Sequence, residues 1–297
     1  MEYEVVIIKP AELILKSKGV RSQFEKRLLF NVKDCLKRKE IDYDNIIHGQ
    51  ARYLIYTPEP HEVLKVVKDI FGIANIVAAA EVGAKISAIK GGILDLAEEL
   101  HLKSTDSFGI RANIVNNDLR SRDVEREVGA FIQQKTKAKV NLTKPKFWLR
   151  VEVVQNKAFI YSEIVQGLGG LPLGTGGKVI SLISEKEQDI LASWMMMRRG
   201  AEIIPLHIRD GEKELVKFQK NVKKLERFAW GSRIKPISIK GVHKDRREIE
   251  AKAQELGAKA IIMASTEPKL LRCNLPVFEP LVGLDKKELK ALSKLVL

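Results

Sequence analysis

The residues best placed to do chemistry lie in one short stretch, Val179-Ile180-Ser181-Leu182-Ile183-Ser184-Glu185-Lys186-Glu187-Gln188-Asp189. An apolar, β-branched run ends in a serine, and an apolar helical pattern resumes after a polar turn. Turns from strand to helix bind phosphates because backbone N–H groups and the positive helix end converge on them. Glycines let bare backbone approach the ligand, and this turn has none. Glu185 and Glu187 bring two carboxylates instead. Like charges about 4 Å apart repel by roughly 4 kcal/mol at an effective dielectric of ~20, and Lys186 offsets part of that only if it points inward. From the residues alone the stretch reads as a catalytic loop in disguise, a loop that has lost its chemistry, or an ordinary strand-turn-helix. Leu182, Ile183 and Ser184 close this strand, and His207 and Ile208 close the next, where nucleotides sit in open α/β sheets. They are the candidate nucleotide contacts, with a solvent-facing or hydrogen-bonded structural histidine as the other reading of His207.

Two further sets of residues bear on chemistry. Cys35 and Cys273 are the only cysteines, and they form no CxxC and no metal-ligand pattern. No metal site is expected, and a reducing, cytoplasmic setting is the simplest reading. Cys35 lies on a helical pattern and reads as a small packed residue. Cys273, beside Asn274, is the one candidate for thiol chemistry in the second half of the chain, with an inert thiol as the alternative. The third set is basic and aromatic: Arg111, Arg120, Arg122, Lys144, Lys146 and Arg150, with Phe147 and Trp148 among them, and Lys16, Lys18 and Arg21 near the start. Cations neutralise phosphates and aromatic rings stack on unpaired bases; the alternative is a solvated charged surface.

The net charge is +14, with a pI near 9.6. That balance fits a polyanion partner, nucleic acid being the usual one, or a charge-rich thermophile surface. No apolar run approaches the roughly 18 residues of a membrane span, and no export signal is apparent near the N-terminus.

The elements that must position these residues follow from periodicity. Strands at 3–9 and 51–58 and helices at 22–41 and 61–73 predict a small ferredoxin-like α+β unit. A strand at 74–84, a helix at 91–102, a strand at 106–115, a helix entered through Ser121 as its N-cap and two strands about Gln155-Asn156-Lys157 form a second unit. Six glycines in residues 166–178 mark a linker. The remainder alternates: strands at 179–183, 202–208, 234–239 and 259–263, helices at 189–200, 212–228 and 244–257. That rhythm predicts a parallel sheet with helices on its faces. Trp194, Met195, Met196 and Met197 read as core filler, and the basic helix 212–228 as a packed surface helix.

Several stretches resemble the tRNA 4-thiouridine synthetases, or tRNA sulfurtransferases: AELILKSKGVRSQFEKRL, FGIRANIVNNDLRSRDVEREVGAFI, KVNLTKPKFWLRVEV, GLGGLPLGTGGKV, WMMMRRGAEIIPLHI and NLPVFEPLVGLDKKEL. The resemblance runs through nearly the whole chain. It implies a mixed α/β and α+β protein with a ferredoxin-like domain at 1–58, a THUMP domain at 59–166, a linker at 167–177 and a Rossmann-like ATP-pyrophosphatase domain at 178–297. It also implies a reaction in which ATP adenylates a uridine oxygen of tRNA and a persulfide sulfur displaces AMP. The partner would be a tRNA acceptor end, and the cofactor ATP with Mg. Family enzymes carry Ser-Gly-Gly-x-Asp-Ser at the first turn of that domain. Ser184 matches its first position, Glu185 and Lys186 replace the glycines, Gln188 the aspartate and Asp189 the second serine. The turn MASTEPK, 263–269, also lacks the glycine of its family counterpart. The expectation is a tRNA-binding protein of this kind with an impaired ATP loop and no cofactor, which works with a sulfur-carrier or thiolating partner. An active sulfurtransferase and a structural partner in a homodimer are the alternatives.

Overall fold

A computed structural model describes residues 1–11, 17–49, 51–209, 212–240, 246–267 and 273–297. In chain order the elements are β1 Val5–Pro10, α1 Lys18–Arg38, β2 Asn45–Gly49, β3 Arg52–Tyr56, α2 Pro60–Val67, β4 Ile73–Gly83, α3 Ile86–Glu99 and β5 Ser107–Val115. Then come α4 Ser121–Thr136, β6 Lys139–Val140, β7 Phe147–Val154, β8 Lys157–Tyr161, β9 Val165–Gln166, β10 Lys178–Leu182, α5 Glu187–Arg198 and β11 Glu202–Arg209. The chain closes with α6 Glu212–Glu226, β12 Ile237–Lys240, α7 Arg246–Leu256, β13 Ala258–Ile262, β14 Val277–Phe278 and α8 Lys286–Val296. They pack as two compact units, one of residues 1–9, 41–65 and 75–166, the other of 10–40, 66–74 and 167–297.

The first unit is built on a sheet of order β2-β3-β1-β4-β8-β7-β5-β6, with β9 beside β4. Alternation along the strands sorts side chains to its two faces. Phe108, Ile110, Leu149, Val151 and Ile160 meet Ile89, Ile93 and Leu96 of α3 and Val124, Val128 and Ile132 of α4. On the other face Val5, Ile7, Leu54, Phe159 and Tyr161 share a core that joins β1 and β3 to β8. Glu152, fully buried there, is paired with both Lys9 and Arg52.

The second unit holds a parallel sheet of order β12-β11-β10-β13-β14. Val179, Ile183 and Ile203 face α5, α6 and α8, which contribute Trp194, Met197, Phe218, Leu225 and Val296. Ile180, Leu206 and Ile261 face Ile249 and Ala253 of α7. The chain winds from β10 to β11 and β12 on one side, then crosses to β13 on the other. The switch point therefore lies beyond the C-terminal ends of β10 and β13, where open α/β sheets bind ligands.

The alternating rhythm expected of the second half is present, and Trp194 and Met197 are fully buried core. Several details differ from the sequence reading: helix α2 ends at Val67 rather than 73, and α3 runs from Ile86 to Glu99 rather than over 91–102. Helix α1 starts at Lys18, earlier than the apolar period suggested. Helix α4 has Arg120, not Ser121, at its N-cap, and no side chain caps it. Strands β2, β6, β9 and β14 and helix α8 carried no clear periodic signal; in β2 only Ile46 is even partly buried. Residues 244–245, expected to open the helix now seen as α7, lie outside the described residues.

Candidate functional site

The strand-to-helix turn is built by the C-terminal end of β10, the first turn of α5 and the side of α6. β10 is held centrally by β11 and β13, and Ile183 N–H continues the pairing by donating to Leu206 O at 3.1 Å. Leu182, Ile183 and Ser184 therefore lie beside Leu206, His207 and Ile208, and the structure brings the candidate nucleotide contacts together on neighbouring strands.

The turn is closed by a carboxylate. Asp189 Oδ2 accepts from Ser184 N at 2.7 Å and from Ser184 Oγ at 2.5 Å. Ser184 Oγ in turn accepts from Lys186 N at 3.2 Å, and Asn221 Nδ2 of α6 donates to Ser184 O at 3.0 Å. Asp189 is buried, and burial raises its pKa against the opposing pull of the Ser184 bonds and Lys186. Beneath it, Ser193 Oγ donates to Asp189 O and shares a 2.6 Å hydrogen bond with Ser181 Oγ. Asp189 sits in the first helical turn, where the dipole favours an anion. Glu185 is turned instead to Lys217 of α6, which lowers its pKa. The inward carboxylate is thus Asp189 rather than Glu185. An acid in the first helical turn was the available signal, and Glu187 shares it with Asp189.

His207 is buried rather than solvent-facing and its ring stacks on Phe218 at 4.8 Å, while Nε2 has no hydrogen-bond partner among the described residues. Ile208 packs on the opposite, α7 face. Cys273 is partly exposed, and its thiol donates to Leu275 O at 3.0 Å. It borders the same α7-side core, before the edge strand β14. Cys35 is fully buried, and desolvation pushes its pKa up to about 12, so it is a packed thiol. Ser265, just past β13, donates to Glu267 O; residues 268 and 269 of the second expected turn lie outside the described residues. No group of three metal-ligating side chains occurs among the described residues, and none of the described helices is long and apolar enough to cross a membrane.

The basic set divides in two. β5 and β7 run parallel with Phe108 opposite Phe147 and Arg111 opposite Arg150. Arg111, Lys144, Lys146, Phe147 and Arg150 therefore gather on the first half of these strands and the loop entering β7. Asn141 Oδ1 curls that loop by accepting from Thr143 N and Lys144 N. Lys146 lies 4.9 Å from the Phe147 ring centroid and pairs with Asp106 at 2.7 Å. Arg120 and Arg122 are exposed at the start of α4, beyond the other end of β5. Arg111 is mid-strand, so about 13 Å of β5 and then the turn at 116–120 separate it from Arg120. Lys18 is exposed at the start of α1, and Arg21 pairs with Glu25 at 2.8 Å. Lys16 lies outside the described residues. Sequence reasoning missed Lys9 and Arg52, the cations on Glu152. Each ends or opens a short apolar strand, a signal that alternation offers only once the pairing is known.

The sequence matches three family descriptions in order: the ThiI ferredoxin-like domain over residues 5–77, the THUMP domain over 83–163, and Thiamine biosynthesis protein (ThiI) over 174–268. A probable tRNA sulfurtransferase of Caldanaerobacter subterraneus subsp. tengcongensis is 30% identical over 329 aligned positions, covering 96% of this chain and 83% of that protein. The crystal structure of PH1313 from Pyrococcus horikoshii Ot3 superposes with a TM-score of 0.85 at 28% identity, over 98% of each chain. That of a 4-thiouridine synthetase–RNA complex with bound ATP shares the fold, with a TM-score of 0.81 at 24% identity over 99% of this chain and 85% of the other. Ferredoxin-like, THUMP and parallel-sheet parts in this order, with a relative at this identity over nearly the whole chain, place it: the chain belongs to the tRNA sulfurtransferase family.

Proposed function

We propose that the chain is a tRNA-binding member of this family that acts in tRNA thiolation without nucleotide chemistry of its own. The single observation that supports the second half of this reading is the Asp189 carboxylate on both donors of Ser184. A phosphate would need those donors, and it would meet a carboxylate already seated among them. The residues of the turn therefore fit ATP poorly: two side chains stand at the positions where family members have glycine, and the anion seat holds an anion of the chain. ATP, which is bound in the RNA complex of a relative, is not a cofactor in this reading, and neither is Mg.

The tRNA half rests on the THUMP match and on the Arg111 group. The domain limits we assign are 1–58, 59–166, 167–177 and 178–297, and the setting is cytoplasmic. Sulfur would come from a separate carrier or thiolating protein, because Cys273 has only a backbone carbonyl as its hydrogen-bond partner among the described residues. The test is to incubate the protein with a tRNA transcript and labelled Mg·ATP while following filter retention of RNA and formation of AMP. Retention of tRNA with no AMP above background is expected. AMP formation that depends on both protein and tRNA would favour an active sulfurtransferase.

A further inference from the structure

Nine of the chain's 52 Lys and Arg lie in residues 33–40 and 220–233, two stretches with only three Asp and Glu between them. The structure brings these stretches together. Helix α1 ends at Arg38 and α6 at Glu226, and the turn after α6 rests on the last turns of α1. Asp34 Oδ2 accepts from Gly231 N at 2.8 Å, and Arg38 Nη1 donates to Ala229 O at 3.2 Å. The cations of Arg38 and Lys39 stand 4.7 and 5.8 Å from the centroid of the buried Trp230 ring. Arg227 reaches Asp69 at 3.9 Å. From there the charge continues along α6. Lys223 and Lys220 lie one and two turns before Arg227, and all three are exposed. At 1.5 Å per residue that row is about 10 Å long.

Folding uses only part of this charge. Asp34 is taken by Arg38 and Gly231 N, and Asp69 by Arg227. Cations near a helix C-terminus complement its dipole, which accounts for Arg38, Lys39 and Lys223. It does not account for Lys220, more than a turn from the end of α6. Neither Lys220 nor Lys223 pairs with a carboxylate among the described residues. Like charges three and four residues apart on a helix repel, and Lys220, Lys223, Lys224 and Arg227 are spaced in that way. The face also lacks what a protein partner would grip. Interface cores are rich in aromatic side chains and poor in Lys, yet no exposed large hydrophobic side chain falls within 33–40 or 217–233. Phe228 and Trp230 are 1% and 5% exposed, so no ring there is open for a base to stack on.

We infer that the exposed side of α6 from Lys220 to Arg227, with the C-terminal end of α1, is a contact for the phosphate backbone of duplex RNA. It rests on the RNA-binding reading above and deepens it, on elements other than those that carry the Arg111 group. Backbone contacts position an RNA and carry no sequence information. Lysine binds phosphate as a point charge on a flexible stem, which suits side chains held by no ion pair. Phosphates along the row relieve the repulsion among its cations, and binding releases the counterions condensed on the RNA.

Lysine reactivity tests this directly. The wild-type protein is acetylated with and without a saturating tRNA transcript, and the sites are read by peptide mass spectrometry. Lys220 and Lys223 are expected to be protected in the complex. A blunt RNA duplex of unrelated sequence is expected to protect them as well at low salt, because no base is read. A variant combining Lys220→Gln and Lys223→Gln removes both charges and keeps good helix formers. It is expected to lower the magnitude of the salt slope for tRNA by about 2, roughly 1 for each phosphate contact. Circular dichroism would confirm that it folds, and the footprint on the wild-type protein decides the matter if it does not. Equal acetylation with and without tRNA, or an unchanged slope in the folded variant, would overturn the contact while leaving RNA binding intact. Protection by tRNA with none from the duplex would overturn its assignment to duplex backbone. Failure of the wild-type protein to retain tRNA on a filter at low salt would overturn the RNA reading itself.

Discussion

Asp189 carries a charge that the fold has removed from water, and its two Ser184 bonds are what make that tolerable. Because burial raises its pKa above the ordinary value of 3.8, the native state holds this proton more tightly than the unfolded chain. The contribution of the group to stability is greatest below the unfolded value and declines as pH rises through the raised folded value. Asp189→Asn is expected to flatten that decline, seen as the pH dependence of the urea midpoint from pH ~4 upward; an unchanged profile would show that this carboxylate is not the group responsible. The cysteines give a second residue-scale expectation. Cys35, fully buried with its pKa pushed to about 12, should resist a thiol reagent in the native protein, whereas Cys273 is partly exposed and should react. One thiol should titrate before denaturation and two after it. This much was legible in part. Cys35 on the apolar period of its helix announced burial, but nothing in the sequence said that Asp189, rather than Glu185 or Glu187, would turn inward. That choice depends on α6, whose Lys217 and Asn221 reach the turn from more than thirty residues away.

At the scale of elements, the glycine-rich stretch before β10 is held closely by its surroundings. Gly167 N and Gly169 N donate to Ala74 O and Ile73 O, Leu171 N to Arg198 O, and Gly174 N and Gly176 N to Gly200 O. Leu173 is buried, and its carbonyl accepts from Arg27 and Asn31 of α1. Gly170 has φ +75°, and a Cβ there would stand 2.2 Å from Arg198 O; Gly177 has φ +77° but open space around it. Gly170→Ala is thus expected to cost about 3 kcal/mol or more, strain and clash together, and Gly177→Ala only about 1 kcal/mol. Urea unfolding of the two variants measures the difference, and equal losses would show that the close approach does not matter. Glycine content alone reads equally as tether or as packed strap, because both need the same backbone freedom. The alternation from β10 to β13 was readable because isoleucines recur in every one of these strands and polar helical patterns separate them. Strand β2 was not, since it is mostly exposed and its register is set by pairing with β3 rather than by a buried face of its own.

For the whole molecule, a charge of +14 makes polyanion binding strong at low salt and weak at high salt. Each phosphate contact on a single strand contributes about 0.7 to the slope of log K against log salt. Arg111→Ala is therefore expected to lower the magnitude of the slope for tRNA by roughly that amount, and a variant with unchanged slope would remove Arg111 from the interface. Positive charge was plain in the sequence, but its grouping was not. Arg120 and Arg122 are close to Arg111 in number and stand beyond the far end of β5, whereas Arg150, distant in number, is its direct neighbour. The most direct measurement is calorimetric titration of Mg·ATP into the protein, first alone and then saturated with tRNA. No binding heat at millimolar ATP in either state is expected if Asp189 occupies the seat of a phosphate. Saturable heat, in the free protein or in the tRNA complex, would contradict a closed turn and return the protein to the nucleotide-using members of its family.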